Sequence, residues 1–261
     1  MDSSLSTLAI AVMVGASSGA IGSFVLLRRM ALVGDALSHV ALPGIAVAVA
    51  YRIDPFWGVL GFLVPAAVLV WWLERKTHLH AETLVGLLFT TSLAVGILTI
   101  PEIEIIESLF GGFAKFSLNA LIGISIAAAV LIISTFLAAQ RFALATVAPD
   151  LCAPRVRRRS DLLLLMIFAV IVSLGIKLAG TLLMGALTII PASIARNSAF
   201  SFKQYMLAST TSGALIAAFG ALIAHRFGWV PGPTIVLLGS GAFVVSLAFA
   251  GVVRSTTVHN S

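Results

Sequence analysis

Long apolar runs separated by short polar interruptions make up almost the whole chain. A membrane-spanning helix needs roughly 20 mostly apolar residues to cross about 30 Å of hydrocarbon. Nine stretches meet or approach this requirement, at 5–27, 30–52, 56–73, 83–100, 118–138, 161–177, 181–195, 205–225 and 234–253. The pattern predicts an all-α fold, a polytopic membrane helix bundle with about eight or nine transmembrane helices.

The stretch from 161 to 195 is the hardest to divide. Only Lys177 interrupts it with a charge, yet as one helix it would be roughly 50 Å long, far more than a bilayer requires. Two short helices, or one span followed by a re-entrant segment, fit better. In either case the chain is expected to turn within the sequence GIKLAG.

Composition supports a membrane location. The 261 residues are 60% hydrophobic and 10% charged, whereas soluble domains are about 45–50% apolar and about 25% charged. Because no polar stretch is long enough for a separate soluble domain, we expect a single transmembrane domain over residues 1–261. The N-terminus lacks the basic start of a signal peptide, so the first apolar run is expected to be a retained span.

Basic residues are distributed unevenly between the two sides of the bilayer. With the N-terminus outside, 12 of the 16 lysine and arginine residues fall on the inner side, and the acidic run Glu102, Glu104 and Glu107 falls outside. The positive-inside rule therefore predicts an outer N-terminus and a cytoplasmic C-terminus. The net charge of +6 is explained by this orientation, without nucleic acid as a partner. Since Arg155 and Arg196 are both placed inside, the chain between them must cross an even number of times.

The second apolar run contains the residues best suited to bind a metal ion. Asp35 and His39 are four residues apart and share one face of a helix. Carboxylate with imidazole suits a divalent transition metal, and Pro43 leaves the His39 carbonyl without its helical donor. His39 would lie roughly 13 Å from the helix start, near the membrane midplane, where an ionisable residue usually marks an ion path. The alternative is a hydrogen-bonded pair that only fastens this helix to a neighbour.

A second candidate segment is IKLAGTLLMGALTIIPASIAR. Lys177 and Arg196 bracket a short apolar helix that is interrupted by Pro191. The segment could be a discontinuous helix that lines a transport path. It could equally be a tight outer turn followed by a helix that ends in an arginine.

The longest polar interruption runs from residue 140 to 160. It carries four closely spaced arginines, and Pro149 and Pro154 bound a short segment that contains Asp150. Such a loop suits docking of a soluble partner, or orientation charge in contact with anionic membrane lipid. Cys152 lies in it and has no second cysteine to pair with.

Other patterns are weaker. His78, His80 and Glu82 have crude metal-ligand spacing but belong to a solvated helix entry. Ser17 stands in a G-x-S-x-G pattern without the strand-turn-helix context of a hydrolase nucleophile, so this segment is interpreted as helix packing. The chain contains no G-x-x-x-x-G-K-[ST] sequence. It is therefore not expected to bind ATP through a P-loop, to hold a cofactor or to be an enzyme.

Four segments together resemble the zinc/manganese/iron permease family of type II ABC importers: GDALSHVALPGIA, HAETLVGLLFTTSLAVGIL, KLAGTLLMGALTIIPASIAR and VPGPTIVLL. They occur in the family's order, and the resemblance extends from about Arg28 to Val253. It implies a homodimer with a central path, two copies of a separate ATPase inside, and an extracytoplasmic metal-binding protein that delivers the ion.

The resemblance also assigns roles by position. Asp35 and His39 match the family's metal-path residues, and the 140–160 loop matches the segment that couples to the ATPase, with Pro149, Asp150 and Leu151 at its centre. Here the loop has no glycine after Cys152, unlike many family members, so its docking surface is expected to suit a particular ATPase. The expected function is import of zinc, manganese or iron into a bacterial cytoplasm.

Two other functions compete with this one. A proton-coupled secondary transporter would use Asp35 and His39 as a proton relay and would need no ATPase. A membrane enzyme would need Ser17 as its nucleophile.

Overall fold

The computed structural model describes residues 3–77, 79–100, 108–111, 118–148 and 152–258, and within these ranges the chain is helical without any strand. The helices are α1 (Ser3–Leu27), α2 (Ala31–His39), α3 (Leu42–Tyr51), α4 (Pro55–Lys76), α5 (Ala81–Thr99), α6 (Leu118–Val147), α7 (Pro154–Ser198), α8 (Phe202–Phe227) and α9 (Pro231–Val258). The acidic run of Glu102, Glu104 and Glu107 lies outside the described residues.

Eight segments of the described chain are long and apolar enough to cross a membrane. They coincide with eight of the nine predicted spans, and α2 together with α3 forms one of them. The ninth stretch, 181–195, is the end of α7. Because lipid offers no hydrogen-bond partners to the backbone, apolar runs of this length are expected to form helices. The predicted all-α membrane bundle is confirmed.

Polar residues set the helix ends. The Asp54 carboxylate caps α4 by accepting a hydrogen bond from the Phe56 backbone N–H (2.9 Å), and Pro55 begins the helix with a backbone angle suited to it. The Ser201 side chain caps α8 through the Gln204 N–H (3.3 Å). Gly228 closes α8 in the left-handed conformation that glycine adopts without strain.

Helix α1 forms the centre of the bundle and packs most extensively against α8 and α7. Small residues permit this closeness: a Cβ on Gly15 would overlap the Gly213 carbonyl, and one on Gly22 would overlap the Thr188 carbonyl. The Ser209 hydroxyl also donates to the Gly19 carbonyl (2.5 Å). Such backbone contacts drive helix association in lipid, and the interpretation of the G-x-S-x-G segment as helix packing is confirmed.

Helix α7 is a hairpin with its turn at Gly180, whose backbone angles (φ 70°, ψ 173°) are not helical. Its first arm, 154–179, begins with Asp161 beside Arg28 at the end of α1. Its second arm, 181–198, ends with Arg196 beside Leu27, at the same end of α1. The chain therefore leaves this end of the bundle and returns to it, as the charge distribution predicted. We call it the basic end.

Gly180 is the residue that makes the hairpin turn possible. A Cβ there would collide with the Leu109 backbone and lie 2.5 Å from the Gly111 nitrogen, and the φ of 70° disfavours any other residue. Gly180→Ala is expected to lower the stability of the protein by about 2–4 kcal/mol, through strain and overpacking.

Thermal unfolding in detergent measures this loss. The matched control is Gly61→Ala, since a methyl group there meets open space. An unchanged melting temperature for Gly180→Ala would show that the turn tolerates a side chain.

The predicted 140–160 loop was too long. Helix α6 continues to Val147 and α7 begins at Pro154, so only residues 148–153 separate them. The sequence before Pro149 contains alanine, leucine and arginine, which favour helix, and Pro154 suits the first turn of a helix. The predicted docking residues Pro149, Asp150 and Leu151 lie outside the described residues.

Candidate metal path on helix α2

Helix α2 is a short, sharply bounded element that carries both candidate metal ligands. A tight turn precedes it: Arg29 is left-handed (φ 57°), and the Met30 N–H donates to the Val25 carbonyl (2.9 Å). At its other end, the Val40 and Ala41 N–H groups donate to backbone carbonyls three residues earlier in the chain. Pro43 then lies in the first turn of α3. The proline thus divides the predicted span in two, and the helix end falls at His39.

Asp35 is half-buried and lies directly against the second arm of α7. A Cβ placed on Gly185 would be 2.7 Å from the Asp35 Cα and 2.9 Å from its Cβ. One position earlier, an added Cβ on Gly34 would make an ordinary contact with the Phe168 ring, at 3.6 Å. The absence of a side chain at Gly185 is therefore what gives Asp35 its place against α7.

His39 is buried, and its ring meets the Phe89 ring of α5 edge-on, with centroids 5.1 Å apart. Within the described part of the chain, its Nδ1 atom has no hydrogen-bond partner. A buried polar atom without a partner is costly and calls for an explanation. An imidazole nitrogen in this condition is available to a metal ion.

The face of α2 that carries the two candidate ligands is partly exposed. Leu32, Asp35 and His39 follow one another at helical spacing, and Leu32 is 78% exposed, whereas His39 is buried. Among the described residues, no group of three or more His, Cys, Asp or Glu side chains is arranged to hold a metal. The described residues therefore offer this pair alone, and a metal site with more ligands would need groups from elsewhere.

Not all of the other residues predicted to line the transport path lie near α2. Pro191 is buried in the second arm of α7, where its carbonyl accepts a hydrogen bond from Ser212 of α8 (3.3 Å). Arg196 is exposed at the basic end. They lie about 9 and 16 Å along the helix from Gly185. The backbone of Lys177 is helical, and its side chain lies outside the described part.

The remaining candidates are placed away from α2. His80 precedes α5 and Glu82 lies in its first turn, both exposed, while His78 lies outside the described residues. Cys152 is a buried free thiol. The Ser17 hydroxyl is buried and donates to the carbonyls of Met13 (2.9 Å) and Val14 (3.0 Å), so it is a helix-packing residue and cannot reach a substrate.

Sequence reasoning missed two neighbours of the site, Gly185 and Phe89. For Gly185, the available signal was its position within the segment KLAGTLLMGALTIIP. Nothing in the sequence connects Phe89 with His39, because that contact arises only when α5 packs beside α2.

Known proteins resemble the chain along almost its entire length. The manganese import system permease protein ScaB of Streptococcus gordonii is 32% identical over 248 residues, which cover 92% of this chain and 88% of that protein. The high-affinity zinc uptake system membrane protein ZnuB of Haemophilus influenzae is 28% identical, with 87% and 90% covered.

The fold also resembles a solved structure. PsaBC from Streptococcus pneumoniae, solved in complex with Fab, superimposes with a TM-score of 0.80 at 26% identity, covering 93% of this chain and 90% of that one. The model of the ABC 3 transport family matches residues 2–250. A match of this extent is decisive: the chain belongs to the ABC 3 transport family, as a multi-pass membrane permease.

Proposed function

We propose that this protein is the membrane permease subunit of an ATP-driven importer that moves a divalent metal ion into the cytoplasm. The observation that carries the proposal is the Asp35–His39 pair, with its unpartnered buried imidazole nitrogen, in a chain of the ABC 3 family. A carboxylate and an imidazole this deep in a membrane bundle are expensive unless a cation uses them.

The ion would bind between two copies of the chain. One chain supplies two ligands, whereas transition metals in proteins usually take four or more. A second copy related by two-fold symmetry would add its own Asp35 and His39. The partly open face of α2, with the exposed Leu32, is the surface on which a homodimer would bring the four ligands together.

The remaining partners follow from the same proposal. The chain has no P-loop, so a dimer of a separate ATPase would supply ATP hydrolysis, docking at the basic end near the adjoining ends of α6 and α7. An extracytoplasmic metal-binding protein would deliver the ion at the opposite end. The abundance of arginine at the basic end supports its placement on the cytoplasmic side of a bacterial membrane, with the N-terminus outside.

Manganese and zinc are the proposed ions, because the relatives named above are manganese and zinc permeases. Aspartate with histidine tolerates both ions, and also ferrous iron, the third ion that the sequence admits. The pair is a weak ligand set for any of them, which suits a site that must release its ion again.

Dependence on ATP tests the proposed function. Cells expressing the permease with its ATPase and binding protein are expected to accumulate manganese or zinc, measured by element-resolved mass spectrometry. Accumulation should disappear when the lysine of the ATPase P-loop is replaced, since ATP no longer drives transport. A proton-coupled carrier would continue to accumulate metal with that ATPase inactive, and collapse with a protonophore.

A further inference from the structure

A second charged cluster lies at the basic end, apart from the Asp35–His39 pair. The Arg28 side chain is only 10% exposed, and its Nη1 donates to the Asp161 carboxylate (2.5 Å). Its Nε donates to the Thr146 hydroxyl (3.2 Å), and its guanidinium lies 5.9 Å from the centre of the Phe142 ring. Arg28 therefore connects the end of α6 with the beginning of α7.

Helix α4 also binds the beginning of α7, through hydrogen bonds of its own. Trp71 Nε1 donates to the Arg158 carbonyl (2.8 Å), and Arg75 donates to the same oxygen (3.4 Å). The Arg75 guanidinium also lies over the Trp71 ring, 3.4 Å from its centre. The start of α7 is thus attached by side chains to α4 as well as to α1, and a displacement of it would be transmitted to both helices.

Arg28 also lies just before the helix that carries the candidate metal ligands. It is followed by the left-handed Arg29 and by α2, whose first turns carry Asp35. The hydrogen bond from Met30 to Val25 closes the turn between α1 and α2, so Arg28 and the start of α2 belong to one hydrogen-bonded segment. Contacts and a short stretch of backbone therefore lead from the adjoining ends of α6 and α7, through Arg28, to Asp35.

Stability alone is a poor reason for this ion pair. The Asp161 side chain is 33% exposed, and an ion pair with a partly exposed partner contributes little net stability because solvent screens the attraction. Arg28 also keeps its Nη2 without a partner among the described residues. Beside the pair lies a cavity of about 540 Å³, lined among others by Arg28, Glu74 and Asp161. The cavity thus leaves space for the ion pair to move, while directional hydrogen bonds define its geometry.

We propose that Arg28 and Asp161 are positioning residues that couple the adjoining ends of α6 and α7, where the ATPase is proposed to dock, to the metal-binding helix α2. This inference rests on the proposed function, because it assumes an ATPase at the basic end and an ion at Asp35. Neither residue touches the ion. The pair holds the start of α2 beside the start of α7, so that movement imposed on the ends of α6 and α7 repositions Asp35 and His39.

The test uses the complete complex of permease, ATPase and metal-loaded binding protein in phosphatidylethanolamine and phosphatidylglycerol liposomes. Import of manganese and of zinc, each supplied alone, is measured per ATP hydrolysed. Arg28→Gln and Asp161→Asn are each expected to lower this ratio about tenfold, while ATP hydrolysis and co-purification of the ATPase persist. The double variant should be no worse than either single one, because both remove the same link.

Controls separate coupling from folding. Lys203→Gln removes an exposed charge from the same end and should leave the ratio unchanged, and Arg28→Lys should recover part of it. A normal import ratio in both single variants would overturn the inference, and so would a parallel loss of complex, hydrolysis and import in both. If the wild-type complex imports neither ion, the proposed function itself fails, which is a separate result.

Discussion

Asp35→Asn and His39→Ala are each expected to reduce metal accumulation to the level of cells without the permease. The first variant keeps the shape of the side chain and removes its charge, and the second removes the imidazole whose Nδ1 has no partner in the described part of the protein. Each removes one of the two proposed ligands, and in the proposed homodimer each substitution is present in both copies.

Element-resolved mass spectrometry of manganese and zinc in whole cells measures the effect, with permease abundance in the membrane determined in parallel. Asp54→Asn is the control for the carboxylate, since asparagine caps a helix as well as aspartate, and His225→Ala is the control for the histidine, at an exposed position near the end of α8. Normal accumulation in either Asp35→Asn or His39→Ala would reduce the pair to a structural contact between helices.

Gly185→Ala is expected to reduce accumulation to near background without removing any ligand. The added methyl group would occupy space within 2.9 Å of both the Asp35 Cα and Cβ. These atoms cannot yield unless α2 moves away from the second arm of α7, and the carboxylate would then leave its position. Tightly packed interiors do not absorb such an overlap without a shift of the backbone.

Two measurements distinguish this displacement from general damage. Permease abundance should remain comparable with the wild type, and metal accumulation should fall. Gly123→Ala is the matched control, because it adds the same group in a helix where nothing lies within 4 Å. If Gly185→Ala accumulates metal normally, the contact between the second arm and Asp35 has no part in transport.

Much of the fold was predictable because the membrane restricts the chain so strongly. Apolar runs of about 20 residues have one stable form in lipid, and eight of the predicted spans are found where they were expected. The distribution of arginine even indicated that the stretch between Arg155 and Arg196 returns to its starting side. The hairpin of α7 confirms this and places its turn within the predicted GIKLAG sequence, at Gly180.

Helix ends near charged segments were predicted less well. The predicted loop from 140 to 160 is largely helix, because arginine and alanine continue a helix beyond the apolar run. Hydropathy indicates where a helix enters the membrane interface, but it does not indicate where the backbone hydrogen bonding of the helix ends. For the same reason, hydropathy did not predict the break between α2 and α3, which follows from Pro43 and from local packing.

By itself, the sequence determined that the chain is a helical membrane protein, that its basic segments share one end, and that Asp35 and His39 occupy one face of a helix. Periodicity and hydropathy are properties of neighbouring residues, so they can be read along the chain. Only the tertiary structure decided that Gly185 presses against Asp35, that Phe89 meets His39 and that Arg28 pairs with Asp161. These contacts join residues more than 40 positions apart, and they exist only because whole helices pack together in three dimensions.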